Sequence, residues 1–141
     1  VWHKLGRTRE ARAALVELFD TAHRSGLRIG AMAFALMARS ELDLDEGRIA
    51  EALASAEQAL AIAQEVQGGT AFSNITGQAW MALAHARNAA GRSAEAHDAY
   101  THAAQHMANT VGASHPLALQ AQRMAASLRT SLHAQAESRT Q

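Results

Sequence analysis

Hydrophobic positions recur along this chain at helical rather than strand intervals. Ala11, Leu15, Leu18 and Ala22 share one face of a helix expected from about Thr8 to Arg24. Ile29, Met32, Ala33, Leu36, Ser40 and Leu44 make the next stripe, from about Arg28 to Asp45. Ala52, Ala56, Ala59 and Ala63, flanked by Leu53, Leu60 and Ile62, give a nearly pure alanine face from Ile49 to about Gln67. Phe72, Ile75, Ala79, Trp80, Leu83 and Ala86 predict a helix from about Thr70 to Ala90, with Gly77 a weak point inside it. Ala96, Tyr100, Ala103 and Met107 line its successor, Ser93 to about Val111. Leu117, Ala121, Met124, Ala125, Leu128 and Leu132 line a last helix, and Pro116 suits its first turn because that position needs no backbone donor.

Between these stripes one phrase occurs three times: Gly6-Arg7-Thr8-Arg9-Glu10-Ala11, Gly47-Arg48-Ile49-Ala50-Glu51-Ala52 and Gly91-Arg92-Ser93-Ala94-Glu95-Ala96. The spacing is 41 residues from Gly6 to Gly47 and 44 from Gly47 to Gly91, a period of helical-hairpin repeats. Each copy reads as a turn between helices. Glycine takes the left-handed conformation that closes a helix, the Arg lies near the carbonyl end of the dipole, and the Glu falls in the first turn of the next helix. Thr8 and Ser93 are the expected caps, with Ile49 the copy lacking a capping side chain. On this reading Val1 to Leu5 end a preceding helix, and a chain that opens without Met so close to a helix stop is expected to be a fragment of something longer. The acidic run Asp43-Leu44-Asp45-Glu46 sits at the negative end of its helix, which predicts fraying or ion pairing by Arg48.

The composition agrees with an all-α protein. Of 141 residues, 48% are hydrophobic but only 4% aromatic, and much of the apolar fraction is alanine. Thirteen basic and thirteen acidic residues give no net charge, which argues against direct nucleic-acid binding. No cysteine is present, so disulfides, thiolate metal sites and cysteine nucleophiles drop out. No apolar run reaches membrane-spanning length and no signal-peptide pattern opens the chain; the expected location is cytoplasmic, without membrane.

The third unit resembles the tetratricopeptide repeat. Trp80, Leu83 and Ala84 stand at that family's aromatic, large and small positions of a first helix, and Ala96, Tyr100 and Ala103 at those of a second. Val111-Gly112-Ala113-Ser114-His115-Pro116 is similar to the Leu-Gly-x-x-His-Pro connection of the 42-residue, kinesin-light-chain type. In the second unit Leu36, Ser40, Ala52, Ala56 and Ala59 match; in the first, Trp2, Ala11 and Leu15 do. The sequence departs from the pattern at Arg87, where an aromatic is usual, at Arg39, where a large apolar residue is usual, at Ala108, where the 34-residue version carries a proline, and at Leu18, which replaces a small residue. The resemblance implies an α-solenoid of antiparallel helix pairs over 1–135, with units of about 1–26, 27–69 and 70–112, a capping helix at 115–135, and a disordered tail at 136–141.

It further implies a non-enzymatic scaffold that holds a protein or peptide segment in the groove lined by the first helix of each unit. The segment could come from the missing part of the same polypeptide, and such units resemble those appended to bacterial transcriptional activators and kinases. The groove-facing residues on that projection are Phe34, Met37, Glu41, Gln78, Met81, His85 and Asn88. The competing reading of Phe34, Met37 and Met81 is plain core. Two other functions stay open: a homodimer formed through Trp2, Leu15 and Leu18, and a sensor whose ligand shifts the curvature. Eight histidines tempt one toward metal. Asp98, His102 and His106 step along one helix face, yet three ligands on a single exposed helix cannot easily surround an ion, so a solvated face is expected there and no metal or cofactor. No nucleophile elbow, phosphate loop or zinc-protease motif occurs, so no catalytic residue is assigned.

Overall fold

The computed structural model describes residues 2–25 and 29–140, with side chains at 7–21 and 30–140. The described residues form six helices and no strand: α1 (Trp2–Ser25), α2 (Ile29–Asp45), α3 (Ile49–Gln67), α4 (Asn74–Ala89), α5 (Ser93–Ala108) and α6 (Pro116–Arg139). Each helix packs against its sequence neighbour, and α2 also touches α4 across α3.

The phrase is a turn in two of its three copies. Gly47 and Gly91 take φ of +76° and +77°. In each, the glycine N–H bonds to a carbonyl three residues back, Leu44 or Asn88 at 3.1 Å, and the following Arg N–H bonds to one five residues back, Asp43 at 2.7 Å or Arg87 at 2.9 Å. That pair of bonds is the Schellman arrangement, and it satisfies carbonyls the helix would otherwise leave open. Ser93 does not cap: the N-cap residues are Arg48 and Arg92, and neither uses its side chain on the backbone. The guanidinium of Arg92 instead pairs with Glu95 in the first turn.

Gly6 corrects the expectation for the first copy. It lies inside α1, which runs through it without interruption, so Thr8 stands within a helix and not at its start. A helix tolerates one interior glycine at a cost of about 1 kcal/mol, and the good helix formers on either side outweigh it. The side chains of Trp2, Ala22 and Ile29, and residues 26–28 between α1 and α2, lie outside the described residues.

Three other boundaries moved. α4 starts at Asn74, not Thr70, because Ser73 is extended and its hydroxyl accepts from the Thr76 N–H. α5 stops at Ala108, three residues before Val111. α6 continues to Arg139 through the expected tail, since Ala134, Ala136, Glu137 and Arg139 favour helix and no Gly or Pro intervenes.

Two apolar clusters fill the interior. The first joins Ala33 and Leu36 of α2, the stripe Ala52, Ala56, Ala59 and Ala63 of α3, and Ala79, Leu83 and Ala86 of α4, with Phe19 of α1 against it. The second joins Ala84, Ala96, Tyr100, Ala103, Ala121 and Ala125 across α4, α5 and α6, and Trp80 touches both. Buried hydroxyls tie α3 to its neighbours: Ser40 Oγ donates to the Ala52 carbonyl at 2.8 Å and Thr76 Oγ1 to the Ala63 carbonyl at 3.3 Å. Gly77 lets α5 come close. A Cβ there would lie 3.0 Å from the Cβ of His106 and 3.3 Å from the Met107 methyl, so the glycine serves packing rather than weakening the helix.

α1 is fastened by charge as much as by apolar contact. Asp43 is buried at the end of α2, where its Oδ1 accepts from Arg12 of α1 at 2.8 Å and lies 3.3 Å from Arg48. Arg12 also pairs with Glu46 at 3.1 Å. Arg39 stands 4.0 Å from the other Asp43 oxygen and 6.0 Å from the Phe19 ring centre, so its cation faces both a carboxylate and an aromatic ring. The expected pairing of Arg48 with the acidic helix end is therefore present, and α2 stays helical through Asp45.

Candidate functional site

A pocket of about 220 Å³ opens between α2 and α4, with the end of α5 and the start of α6 closing one side. Phe34, Met37, Ala38 and Glu41 come from α2, Gln78, Met81 and Ala82 from α4, and Met107 and Leu117 complete the lining. Residues one helical turn apart share a face, so Phe34, Met37, Ala38 and Glu41 form one wall and Gln78, Met81 and Ala82 the facing one.

Five of the residues projected from sequence, Phe34, Met37, Glu41, Gln78 and Met81, meet around this pocket, while His85 and Asn88 lie outside its lining. Met37 and Met81 are nearly covered and Phe34 is 44% exposed, so the methionines serve both core and pocket while Phe34 stands on the rim. Asn88 is exposed near the end of α4. His85 is half-buried against Tyr100, ring centres 5.5 Å apart, and burial lowers its pKa, which keeps the imidazole neutral at neutral pH. Met107 and Leu117 were missed in sequence because they sit at the ends of other helices, where the periodicity of α2 and α4 carries no information.

Polar groups around the pocket accept more readily than they donate. Glu41 is exposed and has no ion-pair partner among the described residues. The Gln78 amide donates to Asn74 Oδ1 at 3.1 Å, which orients its carbonyl oxygen away from that bond. No Lys or Arg lines the pocket.

The histidine face of α5 is solvated at Asp98 and His102, which are exposed, and half-buried at His106, and both of its rings make aromatic contacts. The His102 ring stacks on Trp80 at 4.4 Å and 17°, and His106 meets Phe72 edge-on at 5.6 Å. His106 Nδ1 accepts from the Ser73 N–H at 3.1 Å, so this ring holds the segment leading into α4. Burial foremost, then the neighbouring His102, lowers the His106 pKa. Among the described residues no group of three or more His, Asp or Glu side chains could hold a metal ion.

Tyr100 is fully buried, and its hydroxyl has no hydrogen-bond partner among the described residues. Desolvation pushes its pKa up to about 12, so it is a neutral phenol at every ordinary pH.

Set against protein-family models, curated proteins and solved structures, the chain matches none of them. No described helix is long and apolar enough to cross a membrane.

Proposed function

We propose that this chain is a protein- or peptide-binding module of tetratricopeptide-like α-solenoid type, built from antiparallel helix pairs, and that the pocket between α2 and α4 is its ligand groove. The solenoid reading is supported by the matching turns at Gly47 and Gly91 and by α2 reaching α4 past α3, as the first helices of successive repeats do. One observation carries the functional reading: a pocket forms where that architecture calls for one, lined by five of the residues that the repeat projection marks as groove-facing. Its chemistry suits a side chain rather than a reaction, since it offers a methionine floor, one carboxylate and one amide, with no nucleophile and base in reach of each other. A bacterial regulatory protein is the context the repeat resemblance suggests.

Selection from a random peptide display library tests this. The wild-type chain should enrich peptides that fail to bind an Ala38→Trp variant, because Ala38 is exposed on the pocket lining and an indole there fills the space without disturbing the interior. No enrichment, or enriched peptides that bind Ala38→Trp equally well, would remove the groove from consideration.

A second reading, homodimerisation, is favoured by Val16 and Leu18, two large apolar side chains that α1 leaves exposed. Sedimentation equilibrium of the wild type against a Val16→Lys, Leu18→Glu variant decides it: a dimer through this face dissociates in the variant, and a monomeric wild type eliminates the reading.

A further inference from the structure

We infer that the pocket takes the side chain of a lysine or arginine presented by a bound peptide. This rests on the groove reading above and adds the chemistry of the anchoring residue. The floor, Met37, Met81 and Met107, is apolar and deformable, which suits a methylene stem. Glu41 is the single charged residue in the lining, and it stands exposed without an ion-pair partner among the described residues. On the facing wall the Gln78 carbonyl oxygen is a second acceptor, because the amide nitrogen is engaged with Asn74. An apolar stem ending in a donor-rich cation matches both halves of that lining.

Size and charge exclude the alternatives. A volume of about 220 Å³ falls below the roughly 300–1,000 Å³ of sites that enclose a whole small molecule, and fits one side chain of a longer ligand. An acidic side chain would face Glu41 with no cation in the lining to offset it. A purely apolar side chain would fill the floor and leave the carboxylate unanswered. Glu41 is what distinguishes a basic anchor from an apolar one.

The test uses protein carrying 13C-labelled methionine methyls and four end-blocked pentapeptides, acetyl-Ala-Ala-Xaa-Ala-Ala-amide, with Xaa lysine, arginine, norleucine or glutamate. The lysine and arginine peptides are expected to shift the methyls of Met37, Met81 and Met107 and to leave Met32 and Met124, which lie outside the lining, in place. They should bind about two- to fivefold tighter than norleucine, the range of an exposed ion pair. That advantage should shrink as salt is raised and fall to about one in Glu41→Gln. Norleucine binding as tightly as lysine, or a lysine preference that survives Glu41→Gln, overturns the basic anchor while the groove reading stands on the three shifted methyls. If no peptide moves those methyls, or all five move together, both readings fall.

Discussion

The turn after α2 and the turn after α4 have the same backbone and opposite reinforcement. Both place a glycine at a φ near +76° and both close with the same two backbone bonds. At the first, a buried carboxylate, Asp43, collects Arg12, Arg39 and Arg48 and so ties three helices to one point. At the second, Arg92 and Glu95 pair in the open and Arg87 donates to the Glu95 carbonyl at 3.2 Å, so the side chains join only the two helices of that turn. Glycine geometry makes the turn; the charged residues decide how far its influence spreads.

The largest expected effect separates the two turns. Asp43→Asn should cost about 2–3 kcal/mol in urea unfolding, since hydrogen bonds to a charged group are worth about 1.5–3 kcal/mol and here hold α1 as well. Glu95→Gln should leave the unfolding midpoint where it was, because both partners of that pair are open to solvent. Equal losses would erase the contrast.

Next come the glycines, which should behave alike. Gly47→Ala and Gly91→Ala should each cost about 1–2 kcal/mol, the penalty of a left-handed non-glycine residue, because a Cβ would meet nothing within 4 Å at either place. Unequal losses would show that the backbones differ in more than their side-chain support.

A smaller gain should appear on the α4–α5 side alone. Tyr100→Phe removes a buried hydroxyl without a partner among the described residues, so it should raise stability by about 0.5–1 kcal/mol, measured in the same urea series. A loss would reveal a bonding partner for the phenol.

The smallest effect is titration, and it too belongs to that side, since residues 29–67 contain no histidine. Folding lowers the pKa of His85 and His106 from 6.5, mainly by burial. The unfolded chain therefore takes up protons first as pH falls, so stability is lost from about pH 6.5 downward toward the lowered folded values. Protonation of His106 Nδ1 would also break its bond from Ser73. Melting temperature should drop between pH 7 and 5, and His85→Phe combined with His106→Gln should flatten that slope. An unchanged slope would place the titration elsewhere.

The helices were legible where punctuation and periodicity agreed. α3 is bounded as expected because glycines stand at both ends of its alanine stripe. Thr70-Ala71-Phe72 continues the apolar pattern ahead of α4, and only the Ser73 cap and the Phe72 contact with His106, made through space, hold the helix to a start at Asn74. Gly6 misled because the same six-residue phrase serves as a turn only when a helix ends before it. For the pocket, spacing on α2 and α4 was enough to gather Phe34, Met37, Glu41, Gln78 and Met81, but it also swept in His85, which turns to Tyr100 instead. Packing between distant segments decided those cases, and periodicity along one helix does not encode it.

The two hydroxyls that bond to α3 bear on how this molecule can move. A face of alanines is smooth, with methyl groups too small to interlock, so a neighbouring helix could slide along it at little cost. Ser40 and Thr76 act as pins near opposite ends of that face, one fixing α2 and the other α4 to specific carbonyls of α3. Sliding would strip both bonds in a dry interior. Shear between these three helices is thereby blocked, and any change in the width of the pocket must come from rotation at the glycine turns.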